Sequence, residues 1–290
     1  MFIENEYLKV EVTLNGGSMT SIFNKKINKE ELYQKDERSW MGQDVVIFPF
    51  IGGLKDKEYI VDGKVYLMKN HGLIRYVNLD VVLHNENELV LGYKYNEETL
   101  LQYPYKFNFE ICYRLEKDEL TVEYRVYNLD NKDLYFNLGG HPALIVNGYE
   151  DDKSFVYENV KLIFGKKHTV KQFVLNEQGS LISEIKAATL PKELAISKDI
   201  IEEAKTLIYD VSEIDKITLI SGKSEYIFDI SKCNILAIWS KAGFGNFLCV
   251  EPWWGVPDFV NTSKKIEEKI LINKLGINEK FITNYKIKVV

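Results

Sequence analysis

Residues 106–115 alternate without a break. Phe107, Phe109, Ile111, Tyr113 and Leu115 interleave with Lys106, Asn108, Glu110, Cys112 and Arg114. Successive side chains on a strand point to opposite faces, so a period of two gives a strand with one apolar and one mostly polar face. A charged turn at 116–119 leads into a second alternation, Leu120, Val122, Tyr124 and Val126 against Thr121, Glu123 and Arg125. Two such runs across a short turn predict an antiparallel hairpin. The pattern recurs along the chain. Residues 59–61 and 65–67 flank Asp62-Gly63, a strong hairpin turn. Residues 79–83 and 89–93 flank a polar turn, as do 217–220 and 226–230, and 282–290 reads as a last strand. Only 181–188 and 197–204 read as short helices or turns, and no run of about 15 residues keeps a 3.6 period.

The chain has 290 residues, 18 of them Tyr and 15 Phe, which suits half-buried pleated surfaces. It has no linker, low-complexity tract or internal repeat. The expectation is one all-β domain over residues 1–290, a sandwich of extended antiparallel sheets. A net charge of -6 argues against a nucleic-acid partner, which would need a basic surface to neutralise phosphates. The apolar stretch 45–54 is broken by Pro49, Gly52 and Gly53 and falls far short of the roughly 20 residues that span a bilayer. Residues 1–10 carry Glu4, Glu6 and Lys9 and lack an apolar signal core, so no membrane partner is expected. Cys112, Cys233 and Cys249 are widely spaced and lack the close pairing of a zinc site. They read as buried reduced thiols of a cytoplasmic protein.

Four segments interrupt the scaffold pattern. In residues 48–55 a Pro and two Gly close a strand into a loop that ends at Lys55. In 70–75, His71 and Arg75 bracket Gly72, which lets backbone approach a ligand closely. In 137–144, Gly139-Gly140 precede His141, whose backbone Pro142 biases to an extended form. In 247–258, Glu251 follows an apolar strand and precedes Pro252, Trp253 and Trp254. A carboxylate placed there is partly desolvated, which raises its pKa unless it is paired. Adjacent Trp residues on a strand face opposite ways, which makes it awkward for both to be core. His84 and His168 sit in polar surroundings and read as solvated.

The candidate set is therefore His71, His141 and Glu251, with Lys55 and Arg75 as cations. Two His and a Glu can hold a metal, but none of the three lies at the short helical spacing common in such sites. A cleft with an acid, a base and aromatic walls also suits a sugar. Indole faces pack on the C–H face of a pyranose, and polar groups bind its hydroxyls. Hydrolysis of a glycoside usually needs two carboxylates, and Asp258 is the one rival to Glu251.

These motifs, in this order, resemble the aldose 1-epimerase (galactose mutarotase) family, in its lactose-operon-X-like branch. The resemblance spans most of the chain: Gly16-Gly17, the segment 48–55, His71 to Arg75, Gly139 to Pro142, and Glu251 to Trp253. It implies a large antiparallel β supersandwich and cofactor-free, metal-free interconversion of the α and β anomers of a hexose. By that resemblance His141 is the general acid, Glu251 the general base and His71 a second donor near the ring oxygen. Lys55, Arg75 and Trp253 would bind the sugar. The chain departs from the best-studied galactose mutarotases in two places. It offers Lys55 where they carry an Asn-Arg pair, and their substrate-binding Asp has no clear counterpart, Asp210 being the candidate. Arg75 resembles the Arg after His-Gly in hexose-6-phosphate mutarotases. A non-catalytic carbohydrate-binding protein on the same scaffold is the other reading, though it would not need His141 and Glu251 together. The oligomeric state is not readable from these residues.

Overall fold

The computed structural model describes residues 1–146, 159–241 and 246–290. The strongest alternation in the sequence lies well inside its largest sheet. Phe107–Glu116 and Glu119–Asn128 pair antiparallel over ten positions, with Phe109 opposite Val126 and Ile111 opposite Tyr124. The apolar members of both runs are buried. On one side they continue through Lys280–Val289, Ser224–Asp229, Lys216–Ser221, Val160–Ile163 and Glu193–Ala195, and on the other through Glu88–Lys94 to Asp80–His84. This makes nine strands. The hairpin predicted at Asp62-Gly63 joins Glu58–Val61 to Lys64–Leu67, with φ of 49° and 74° at the two turn residues. Positive φ at both positions matches the right-handed twist of the flanking strands.

A second sheet packs against the first. Its strands run in the order Leu138–Gly139, Phe247–Trp254, Ile235–Trp239, Thr206–Asp210, His168–Leu175 and Ile182–Leu190, with Ala143–Ile145 also on the Phe247–Trp254 strand. Residues 181–188, expected as a short helix or turn, are instead the bulk of the Ile182–Leu190 edge strand. Their Glu, Lys and Ala content favours helix locally, but eight cross-strand pairs with His168–Leu175 override it. Residues 197–204 do form a helix, Lys198–Ala204, with the Ser197 side chain accepting the Ile200 N–H as N-cap.

Phe247–Trp254 is buried at every position, because the sheet is covered on both faces. That is why adjacent tryptophans are both buried. Trp254 joins Leu248, Val250 and Tyr124 in the core between the sheets, while Trp253 joins Ile208, Ile235 and Val45 on the outer face. The same alternation sends Cys249, Glu251 and Trp253 to the outer face, where the cleft lies. Cys112, Cys233 and Cys249 are all buried and free. Among the described residues no helix is long and apolar enough to cross a membrane.

Candidate active site

Register explains how His141 finds Glu251. Gly139 pairs with Trp253 and Ala143 with Cys249, so His141 stands directly across from Glu251. The ladder is half closed around them: the Gly140 N–H donates to the Pro252 carbonyl at 3.0 Å and the Val250 N–H to the Pro142 carbonyl at 3.4 Å, while Pro142 and Pro252 have no N–H to return. His141 Nε2 lies 3.3 Å from Glu251 Oε2. Each glycine before His141 has a steric reason. A Cβ at Gly139 would overlap the Trp253 ring, and one at Gly140 would meet the hydroxyls of Tyr285 and Tyr124.

His71 comes from a separate loop. Ile47 bridges to Gly139 and Phe48 to Gly72, so the segment entering 48–55 ties the two histidine loops together. Gly72 has φ of 80°, and a Cβ there would overlap the Phe48 carbonyl. Only glycine allows this approach. The Gly52 N–H donates to His71 Nδ1 at 3.3 Å, and the His71 N–H donates to the Gly52 carbonyl at 3.0 Å. With Nδ1 accepting, the proton of a neutral His71 sits on Nε2, a donor available to the cleft. The two imidazoles meet edge-on, centroids 5.6 Å apart.

The cleft has a volume of about 450 Å³. His71, Arg75, His141, Glu251 and Trp253 all line it. Glu251 is 1% and His141 7% exposed. Burial pushes the Glu251 carboxyl well above the ordinary carboxylate range, with Trp253 opposing and nearby Asp44 adding to the rise. Burial pushes His141 and His71 down, and Arg75 adds to both. Three buried polar atoms here, His141 Nδ1, Glu251 Oε2 and Trp253 Nε1, make no hydrogen bond among the described residues. A carboxyl and an imidazole each biased toward the uncharged form, beside free donors and acceptors, can exchange protons with a bound polyhydroxyl compound.

Comparison with known proteins gives the same assignment. The family model for aldose 1-epimerase matches residues 2–270. The chain belongs to the aldose 1-epimerase family. It is 27% identical to the chromosomal protein LacX of Lactococcus lactis subsp. lactis, over 94% of this chain and 93% of that one. A galactose mutarotase related enzyme from Lactobacillus acidophilus superposes with a TM-score of 0.92 at 26% identity, covering 100% of this chain and 97% of that one. A galactose mutarotase-like protein from Lactobacillus casei also gives 0.92 at 26%, covering 100% and 99%. These neighbours share the galactose mutarotase-like fold expected from the motifs.

Within this family member, not every residue singled out in the sequence reaches the cleft. Lys55 opens the turn Lys55–Lys57, outside the cleft lining, and its backbone N–H donates to Asp258 at 3.1 Å. The chain has turned before it, through φ of 63° at Gly52. Asp210 also lies outside. Its carboxylate accepts the N–H and hydroxyl of Ser212 in a local turn. Asp258, the rival carboxylate, is buried in an ion pair with Lys269. His84 and His168 bond to the carbonyls of Phe2 and Phe164, away from the cleft.

Other lining residues carried no signal in the chain. Trp40 and Trp239 flank the His141 ring at centroid distances of 5.2 and 5.7 Å and extend the aromatic wall. Asn70, Ser180 and Thr206 add polar groups at the rim. Trp40 sits in an irregular segment with no motif around it, and Thr206 was hidden in an ordinary strand. His141, Cys249 and Glu251 also place three donor atoms within 4.8 Å of one another, a set able in principle to hold a metal ion. Burial pushes the Cys249 thiol well above its ordinary pKa, so the thiol would have to release a proton to bind an ion.

Proposed function

We propose that this family member is an active aldose 1-epimerase that opens and recloses the ring of a free hexose. The reading is carried by one observation, the buried carboxyl–imidazole pair of Glu251 and His141 at 3.3 Å in the wall of the cleft. Hemiacetal opening needs one proton delivered to the ring oxygen and one removed from the anomeric hydroxyl. Because burial disfavours both charged forms, the pair holds one proton between its two members, and its titration belongs to the pair. Sugar hydroxyls bonding to Glu251 offset part of its desolvation and favour the ionised arrangement. In that arrangement the imidazolium of His141 protonates the ring oxygen, and the Glu251 carboxylate takes the hydroxyl proton. Rotation about C1–C2 in the open aldehyde and reclosure from the other face give the other anomer, with the two roles exchanged. His71 Nε2–H steadies charge near the ring oxygen. Trp40, Trp239 and Trp253 offer apolar walls for the sugar C–H face.

One observation favours a second reading, a hexose 6-phosphate. Arg75 lines the cleft and has no carboxylate partner among the described residues. Its guanidinium rests over the Tyr76 ring at 5.1 Å. With Lys55 outside the cleft lining, however, a phosphate would meet one cation, and we retain the free sugar. Polarimetry of freshly dissolved α-glucose and α-galactose, with and without the protein, tests the activity. We expect faster decay of rotation, unchanged by a chelator. A rate equal to the spontaneous one across free and 6-phosphorylated hexoses would leave only a sugar-binding role.

A further inference from the structure

Cys249 stands beside the acid–base pair without a part in the proposed reaction. It precedes Glu251 by two residues on Phe247–Trp254, so both side chains leave the strand on the same face. His141 stands across from Glu251, and one donor atom from each of the three residues lies within 4.8 Å of the other two. His141 Nε2 and Glu251 Oε2 are 3.3 Å apart. Nitrogen and oxygen ligands about 2.1 Å from one tetrahedral ion are themselves about 3.4 Å apart, so this pair already has the spacing. A thiolate in the same shell lies about 3.6 Å from each of them, so Cys249 Sγ has about 1 Å to travel at most.

Two further features point to a ligand. Glu251 Oε2 and His141 Nδ1 belong to side chains more than nine-tenths buried, yet neither has a hydrogen-bond partner among the described residues. Both residues line the cleft, which gives an ion a way in, while Cys249 packs behind them with Tyr33, Ala143, Ile145 and Phe247. His141 also indicates how firmly an ion is held. A histidine in a resident metal site passes its second N–H to a carbonyl, carboxylate or water. His141 Nδ1 has no such protein partner, which suits a reversible occupant.

We infer that His141, Cys249 and Glu251 form an inhibitory site for a thiophilic divalent cation of the zinc class. Binding releases two protons, one from the Cys249 thiol and the one shared by His141 and Glu251, and leaves the ion bonded to sulfur, nitrogen and oxygen. Water from the cleft completes the shell. With both members of the pair on the ion, neither can carry a proton, and turnover stops. The sulfur sets the selectivity, because magnesium and calcium prefer oxygen ligands and thiolates favour zinc and cadmium.

The inhibition, though not the binding, rests on the epimerase reading. Cadmium chloride titrated into the protein reports the metal–sulfur bond directly, through ultraviolet thiolate-to-cadmium charge-transfer absorption. We expect a band that saturates at one equivalent in wild type, is absent in Cys249→Ala and persists in Cys112→Ala and Cys233→Ala. Zinc chloride should slow the mutarotation of glucose, each protein being read against its own rate without zinc, and magnesium chloride should not. The half-inhibitory zinc concentration should rise about 100-fold or more in Cys249→Ala, beyond the roughly 10- to 100-fold that loss of an outer partner costs a metal site. Cys249→Ser, closer in size, replaces the Ala variant if that one does not fold. A wild type without the band overturns the inference, whatever the variants do. So does a band or a zinc sensitivity that survives loss of Cys249, or an active enzyme that zinc leaves uninhibited. A Cys249-dependent band in a wild type with no mutarotation to inhibit overturns the epimerase reading instead and leaves the metal site standing.

Discussion

Glu251 reaches its chemistry from the middle of a strand buried at every position, which is an expensive place for an acid. Its position was legible because Pro252 and the tryptophans interrupt an apolar run there, and that of His141 because two glycines and a proline enclose it. Lys55 and Asp210 were not legible, since whether a loop residue reaches a cleft depends on backbone turns such as the one at Gly52. Glu251→Gln removes the carboxylate without changing shape. It should keep the fold and lose about 10² in kcat, the scale of one proton-transfer group. Near-normal turnover in a folded variant would remove Glu251 from the mechanism. Arg75→Ala separates the two substrates. If Arg75 only positions a neutral sugar, kcat/KM for glucose and galactose should fall and the 6-phosphate should suffer no extra penalty. A wild-type preference for glucose 6-phosphate above about tenfold, worth about 1.4 kcal/mol, erased by the mutation, would make Arg75 a phosphate ligand.

At the scale of elements, one interrupted ladder sets His141 opposite Glu251 in the cleft wall. Leu138–Gly139 and Ala143–Ile145 both pair with Phe247–Trp254, and the three residues between them keep only the bonds from Gly140 to Pro252 and from Val250 to Pro142, because the prolines have no N–H to complete the ladder. The hairpins were readable because alternation and turn residues are local signals. Residues 181–188 were not, because an exposed edge strand has no apolar face to impose a period of two. Gly139 is the tight point of the construction. Its backbone exchanges hydrogen bonds with Ile47 at 2.9 and 3.1 Å while its Cα faces the Trp253 ring. Gly139→Ala adds a methyl where the 3%-exposed Trp253 cannot yield. We expect a loss of about 1–3 kcal/mol, the usual cost of overpacking, measured by urea unfolding. A change in indole fluorescence and a drop in turnover should accompany it. Unaltered stability would mean that Trp253 is free to move, contrary to its packing.

Over the whole molecule, all-β architecture followed from composition and alternation, while the pairing order of distant strands did not. Nothing local tells Glu119–Asn128 that it will lie beside Lys280–Val289. Asp44 and Glu251 are both buried, and this gives stability a pH dependence whose sign can be worked out. Asp44 has an ordinary pKa of 3.8 when unfolded and about 6 when folded. Below 3.8 it is protonated in both states and its contribution is complete. Between 3.8 and about 6 the unfolded chain ionises while the folded one resists, so stability falls as pH rises. Above that window both states are ionised and the loss is constant. Glu251, pushed in the same direction, adds a decline in wild type and variant alike. The difference between Asp44→Asn and wild type therefore isolates Asp44. Whatever the Asn costs in hydrogen bonding is the same at every pH. The melting temperature of the variant relative to wild type should thus rise between pH 4 and pH 7. The change should approach about 5 °C, the equivalent of about 3 kcal/mol for a chain of this size. A difference that stays flat across that range would mean that Asp44 ionises in the folded protein as easily as in water.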